Sequence, residues 1–167
     1  METMYGAPDR PALLWYFAYG SNMSSQKFID SRGIFPHAIA NVKVPGWRLA
    51  FNIPGLPYAE PAFTSIVRRQ PESQSESQLY PDVIGVAYLI THDQYIRVLG
   101  SEGGGIAYDD TEVTAMPIGP EDAALTGPMV KVRTLGAAMK RHPCPRPSKR
   151  YMVSPLTTTN GNAMQDS

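Results

Sequence analysis

Most apolar residues of the chain fall into short runs bounded by glycine, proline or polar residues, a pattern typical of β-strands. The clearest run is Leu13–Tyr19, which is apolar and aromatic throughout and is closed by Gly20, and it predicts a buried central strand. Further strands are predicted at His37–Val44, Trp47–Asn52, Phe63–Arg68, Val83–Ile90, Thr111–Ile118 and Met129–Leu135.

Two segments carry the signals of short helices. The polar stretch Ser21–Ser25 offers several N-cap residues, and a helix is expected to follow through Phe28 and to stop at Gly33. Thr91 is a second N-cap, for a helix that the glycines of Gly100–Gly105 are expected to break. Many short strands with a few helices and no internal repeat predict an α+β fold built on a small mixed sheet or barrel.

A chain of 167 residues is expected to form one domain, which we assign to residues 13–153. Residues 1–12 form a loose lead-in and residues 154–167 a polar tail expected to be disordered. The polar, low-complexity stretch Gln70–Gln78 is predicted to be an exposed loop.

Composition excludes several classes of function. The chain has 15 basic and 15 acidic residues, so it lacks the positive charge that binds nucleic acid or an anionic membrane. Its single cysteine, Cys144, excludes an internal disulfide framework and a zinc cluster. No apolar run reaches the roughly 20 residues of a membrane span, and the N-terminal residues do not follow the pattern of a secretory leader. We therefore expect a cytoplasmic protein.

The turn Tyr19-Gly20-Ser21-Asn22 is the first candidate site. A strand that passes into a helix exposes successive backbone N–H groups, which suit a carboxylate or phosphate. Gly20 lets a ligand approach the backbone, and Ser21 and Asn22 add side-chain hydrogen bonds. The alternative interpretation is a simple capped turn.

The second candidate is Ser101-Glu102-Gly103-Gly104-Gly105, which places one carboxylate beside three glycines directly after a predicted helix. Partial burial of Glu102 would raise its pKa toward neutrality and make it a general acid/base. The alternative is a helix C-terminus followed by a plain glycine loop. Asp109-Asp110 is interpreted as a solvated strand edge or turn, and the three widely separated histidines show no metal-ligand spacing.

Four segments together resemble the γ-glutamylcyclotransferase-like superfamily. Tyr16–Met23 is similar to its opening strand and signature loop, and Gly85–Ile90 to its central strand. Val98–Gly103, followed by Tyr108, is similar to the segment that holds its catalytic glutamate. Pro147-Ser148-Lys149-Arg150-Tyr151 resembles its late Pro-Ser-x-x-Tyr element. The Ser-Glu-Gly-Gly-Gly form is similar to fungal members, including those found in secondary-metabolite clusters.

The resemblance implies a small mixed β-barrel with flanking helices, and a pocket between the signature loop and the glutamate that uses no metal or organic cofactor. It assigns Glu102 as the acid/base and Tyr19, Gly20, Ser21 and Asn22 as the substrate loop. Tyr108 and Tyr151 are expected to shape the pocket. The implied reaction releases 5-oxoproline from a γ-glutamyl amine, peptide or glutathione conjugate.

Family members usually continue past the Pro-Ser-x-x-Tyr element into a further helix, whereas this chain becomes polar and ends at Ser167. An open pocket would admit a bulkier substrate, or a second subunit would cover it in a homodimer. Two other functions therefore stay open: a cyclase, isomerase or lyase acting on a fungal natural product, and a binding module without turnover. A wide aromatic cavity favours the natural product, and a narrow one rich in amide donors favours the γ-glutamyl substrate. Six aromatic residues either line such a cavity or fill the core: Trp15, Tyr16, Trp47, Phe51, Tyr58 and Phe63.

Overall fold

The computed structural model describes residues 11–56, 60–69, 80–101 and 108–137. Its strands are β1 (Leu13–Ala18), β2 (Ala38–Val44), β3 (Trp47–Leu56), β4 (Glu60–Arg68), β5 (Val83–Thr91), β6 (Tyr108–Pro117) and β7 (Val130–Ala137). Its α-helices are α1 (Ser25–Arg32), α2 (His92–Ser101) and α3 (Pro120–Thr126), and a short 3₁₀ helix spans Ser21–Met23.

Five of these strands close into a barrel in the order β1-β5-β2-β6-β7. Neighbouring strands run antiparallel except β1 and β7, which meet in parallel at Tyr16 and Arg133 and so complete the ring. Strands β3 and β4 form a separate antiparallel pair. The predicted α+β fold with a small mixed barrel and flanking helices is confirmed.

Strand β1 is central because both of its faces are covered. Phe17 points into the barrel and is fully buried with Val42, Val44, Val113 and Val132, among others; we call this cluster the barrel core. The neighbouring residues on β1 point to the opposite face, since side chains alternate along a strand. There they meet residues of α1, α2 and β5 in a second cluster, the aromatic core, which holds Tyr16, Phe28, Tyr88 and Tyr95.

The barrel closes tightly where β1 pairs with β5. A Cβ atom placed on Gly85 would lie 2.2 Å from the carbonyl oxygen of Ala18 and 2.7 Å from the ring of Phe17. Real Cβ atoms do not come so close to a backbone oxygen, so this position accepts only glycine without a shift of the strands.

The helix signals in the sequence were mostly sound. Helix α1 ends before Gly33, which takes a positive φ of 61°. Thr91 caps α2 as predicted: its hydroxyl accepts a hydrogen bond from the Gln94 backbone N–H at 3.2 Å, and the Gln94 side chain accepts one from the Thr91 N–H at 2.9 Å. Helix α2 ends at Ser101, within the Gly100–Gly105 segment that was predicted to break it, although Gly100 itself is still helical.

Helix α3 was not predicted at all. It begins with Pro120 after Gly119, and Asp122 accepts backbone hydrogen bonds from Gly119 at 3.1 Å and from Asn41 of β2 at 2.7 Å. Proline at the first helical position followed by acidic residues is a helix-start signal that the strand pattern around it obscured. Within the described part of the chain, no helix is long and apolar enough to cross a membrane.

Candidate functional site

A small cavity, here called the loop cavity, opens where β1 ends. Its volume is about 50 Å³, room for only a few water-sized groups. Eight residues from five parts of the chain line it: Tyr16, Tyr19, Gly20, Ser21, Asn22, Thr64, Tyr108 and Leu135. Five of the seven residues that the sequence assigned to the site, namely Tyr19, Gly20, Ser21, Asn22 and Tyr108, thus lie around one cavity.

The turn after β1 enters a 3₁₀ helix, in which the Met23 N–H donates to the Gly20 carbonyl at 3.0 Å. No side chain caps this helix at Gly20. A Cβ atom at Gly20 would meet nothing within 4 Å, so the glycine borders open space rather than packed protein. That is the arrangement expected where a ligand approaches the backbone.

Asn22 has a structural role that its assignment as a substrate residue did not anticipate. Its side-chain NH₂ donates to the Tyr16 hydroxyl at 3.1 Å, and its side-chain oxygen accepts from Arg32 at 3.0 Å. The carboxamide therefore ties the turn to β1 and to the end of α1. Ser21, by contrast, is exposed beside the cavity.

Tyr88 of β5 stabilises the turn after β1 through its hydroxyl group. It is fully buried, and its hydroxyl faces the carbonyl oxygens of both Asn22 and Met23 at 3.0 Å. Burial, with a smaller contribution from Tyr16, raises the Tyr88 pKa well above its usual range. The hydroxyl therefore stays a proton donor to the turn, and the ring stacks on Phe28 at 4.5 Å between centroids.

The remaining residues that line the loop cavity belong to β4, β6 and β7. The Tyr19 hydroxyl donates to the Leu135 carbonyl on β7, and Tyr108, at the start of β6, reaches the Thr64 carbonyl on β4 at 3.5 Å. Tyr16 was among the aromatic residues expected to line a cavity, whereas Thr64 and Leu135 were missed by sequence reasoning. Leu135 reaches the cavity because β7 pairs with β1, and Thr64 because the separate β3-β4 pair packs against β7, which no local pattern around either residue reveals.

Below this wall, Tyr95 of α2 and Asp110 of β6 are joined by a 2.7 Å hydrogen bond, and Arg133 of β7 pairs with the same carboxylate. Burial disfavours the charged form of Asp110, but the bonds from Arg133 and Tyr95 outweigh it and lower its pKa. Asp109 and Asp110 are both exposed on β6, as the interpretation of a solvated strand edge expected, but Asp110 also links β6 to α2 and β7, which that interpretation did not include.

Several sequence predictions fall outside the described residues: Glu102 with its three glycines, Tyr151, Cys144, Tyr58, the Gln70–Gln78 loop, and most of the lead-in and the tail. The last described residue before Glu102 is Ser101, which ends α2, and the next after it is Tyr108, which lines the loop cavity.

The predicted aromatic residues divide between core and cavity. Trp15 and Trp47 are partly buried against the barrel core. Tyr16 belongs to the aromatic core while its hydroxyl side borders the loop cavity, and Phe51 lines a second cavity described below. Among the described residues, no three histidine, cysteine, aspartate or glutamate side chains lie close enough to hold a metal ion.

No protein-family profile matches the chain. Several curated proteins, however, are similar to it in sequence. It is 45% identical to the gamma-glutamyl cyclotransferase aclK of Aspergillus oryzae, over 87% of this chain and 55% of that protein. It is 38% identical to gliK of Aspergillus fumigatus, over 83% of this chain and 54% of that protein, and thus spans about half the length of both. The gamma-glutamyl cyclotransferase verK of Clonostachys rogersoniana is 35% identical over 87% of this chain and 84% of its own length.

Solved structures share the fold. A gamma-glutamyl cyclotransferase structure superposes with a TM-score of 0.65 at 16% identity, covering 92% of this chain and 82% of the other. A glutathione-specific enzyme from yeast gives a TM-score of 0.60 at 16% identity, covering 93% and 91%. The barrel thus has the fold of the gamma-glutamyl cyclotransferase structures. The match along nearly all of verK shows that this chain belongs to the gamma-glutamyl cyclotransferase family, among fungal relatives.

Proposed function

We propose that the chain is a γ-glutamyl cyclotransferase that uses Glu102 as its single general acid/base. The substrate class is a γ-glutamyl amine, a γ-glutamyl peptide or a glutathione conjugate. The observation that carries the proposal is the meeting of Tyr19–Asn22 and Tyr108 around one cavity, on a chain related to enzymes of that name. In the sequence, Glu102 directly follows Ser101, the last residue of α2, and precedes Tyr108 by six residues.

The reaction needs one proton carrier and no nucleophilic side chain. The Glu102 carboxylate takes a proton from the substrate α-ammonium group, and the resulting amine attacks the γ-carbonyl carbon. The bond to the leaving amine then breaks as the Glu102 carboxylic acid returns its proton to that nitrogen, while the second proton of the attacking nitrogen is released to solvent. The products are 5-oxoproline and the free amine. Because attack is intramolecular, holding the substrate folded supplies much of the acceleration.

In this proposal the loop holds the substrate and stabilises developing charge. Backbone N–H groups at the Gly20–Asn22 turn would bind the substrate carboxylate or the oxyanion. Asn22 would act by keeping the turn in place through Tyr16 and Arg32 rather than by touching substrate. Tyr108 and Tyr151 would close the sides of the pocket.

Residues that carry hydroxyl groups, together with the backbone of the turn, line the loop cavity, and this polar lining favours a γ-glutamyl head group over a large natural-product ring. A cyclase, isomerase or lyase of a fungal natural product would need a wider aromatic cavity. The enzyme is proposed to act in the cytoplasm, in glutathione or secondary metabolism, and the leaving amine would differ between substrates.

The chain is also proposed to form a homodimer, which sedimentation of the purified protein would detect.

The test is release of 5-oxoproline from purified protein given glutathione, a glutathione conjugate or a γ-glutamyl amine. Glu102→Gln is expected to lower kcat by about a hundredfold or more, since general acid/base groups contribute 10²–10⁴-fold. Glu112→Gln is the matched control, because Glu112 is exposed on β6 and its ion pair is with the exposed Lys131 at 3.0 Å. Equal activity of wild type and Glu102→Gln would overturn the assignment of Glu102. Binding without any product would favour a non-catalytic module.

A further inference from the structure

A second and larger cavity lies beside β3. Its volume is about 570 Å³, within the range of small-molecule sites, and it shares no lining residue with the loop cavity. Arg48–Phe51 of β3 form one wall, and Tyr80–Ile84, which lead into β5, form the other. We call it the Arg48 cavity.

The lining is apolar with two exceptions. Leu49, Tyr80 and Ile84 are among the exposed large apolar residues of the described chain, at 41%, 43% and 58% exposure. The opening of the Arg48 cavity therefore presents apolar surface to solvent. Such a concentration of apolar surface around a cavity is typical of a ligand site. The exceptions are Asp82 and Arg48.

Asp82 is fully engaged within the protein. Its carboxylate accepts from Arg69 and, at 3.1 Å, from the Gly46 backbone N–H. Arg69 also donates to the Tyr80 carbonyl at 2.9 Å. Asp82 and Arg69 therefore neutralise each other and hold the turn before β3 against the segment before β5.

Arg48 has no such partner among the described residues. Its guanidinium lies over the Tyr80 ring, 4.9 Å from the centroid, and its buried Nε atom makes no hydrogen bond in the described part of the chain. Stacking on an aromatic ring fixes the guanidinium plane and leaves its edge to bind a planar anion. An uncompensated, oriented cation in an apolar cavity is complementary to a carboxylate that carries an apolar body.

We propose that the Arg48 cavity binds a small hydrophobic carboxylate, with the carboxylate on Arg48 and the apolar body between Phe51 and Ile84. This site is separate from the proposed cyclotransferase chemistry, so it stands or falls independently of Glu102.

The test uses naphthoate as probe and its neutral analogue naphthalenemethanol, measured by isothermal titration calorimetry on the full chain. Naphthoate is expected to bind at least about tenfold more tightly than the alcohol, because a hydrogen bond to a charged group adds that much. Arg48→Gln should remove this preference while leaving the alcohol's affinity unchanged. Arg97→Gln, which alters an exposed arginine on α2, should leave both affinities unchanged.

Any of three results would overturn the proposal. The first is that neither probe binds, and the second is that both probes bind the wild type equally. The third is that Arg97→Gln weakens the binding of naphthoate as much as Arg48→Gln does. A dimer that dissociates on Arg48→Gln, seen by sedimentation, would assign the surface to a second copy of the chain instead. Circular dichroism of both variants checks that a lost preference is not lost folding.

Discussion

The two cores on either side of β1 are built differently. The barrel core consists of Phe17 and aliphatic residues, and its side chains stabilise the barrel through apolar packing. The aromatic core contains three buried tyrosines, and all three hydroxyls bond to other elements: Tyr16 and Tyr88 to the turn after β1, and Tyr95 to Asp110 on β6. One core closes the barrel, whereas the other also positions the walls of the loop cavity.

This division explains how a strand can serve fold and site at once. Alternation along β1 sends Phe17 inward and Tyr16 outward, and Tyr16 then accepts a hydrogen bond from Asn22 of the turn. The rings of Tyr16, Phe28 and Tyr88 stack on one another, so the hydroxyls rest on a packed support. The turn is therefore held by hydrogen bonds whose donors and acceptors cannot easily move.

The largest expected effect comes from breaking the shape of the barrel. Gly85→Ala forces a methyl group against the Ala18 carbonyl and the Phe17 ring, and overpacking of this kind costs about 1–3 kcal/mol. Urea unfolding should show that loss. Gly100→Ala is the matched control: nothing lies within 4 Å of its Cβ position in α2, so alanine should stabilise by about 0.5–1 kcal/mol. Equal behaviour of the two variants would contradict the close packing at Gly85.

The sequence predicted the barrel strands, and β1 in particular, because each is a local apolar run with clear boundaries. It found the turn at Gly20 for the same reason, and the cap at Thr91 from one residue type. It did not reach Thr64 or Leu135, since their place at the cavity depends on the pairing of β7 with β1 and on the packing of β4 against β7. The partners of Asp110 were not foreseen because Tyr95 and Arg133 are 15 and 23 residues away along the chain.

A smaller effect should follow from removing one hydroxyl of the aromatic core. Tyr88→Phe leaves two carbonyls of the turn without their donor and should cost about 1 kcal/mol near neutral pH. Tyr80→Phe is the control, because Tyr80 is 43% exposed, and it should leave the unfolding free energy unchanged. If both variants unfold alike, the Tyr88 hydroxyl does not support the turn.

The same variant has a pH signature that the barrel core cannot produce. Burial raises the Tyr88 pKa above that of an unfolded tyrosine, 10.0. Its stabilising contribution is therefore complete below pH 10 and is lost as pH rises above 10, where only the unfolded chain ionises. Unfolding free energies measured from pH 8 to about 11 should fall less steeply for Tyr88→Phe than for wild type. Parallel curves would contradict this.

The smallest effect on stability is expected at the edge of the loop cavity itself. Gly20→Ala adds a methyl group where nothing lies within 4 Å, at an ordinary negative φ of −129°, so the unfolding free energy should change by less than about 0.5 kcal/mol. Yet that methyl group lies beside a cavity of only about 50 Å³, where the proposed substrate head group must approach the backbone. The KM for a γ-glutamyl substrate should therefore rise while stability stays constant, and Glu112→Gln, on the exposed face of β6, should alter neither KM nor kcat. An unchanged KM in Gly20→Ala would mean that substrate does not contact this turn, even though the turn is held in place by the aromatic core.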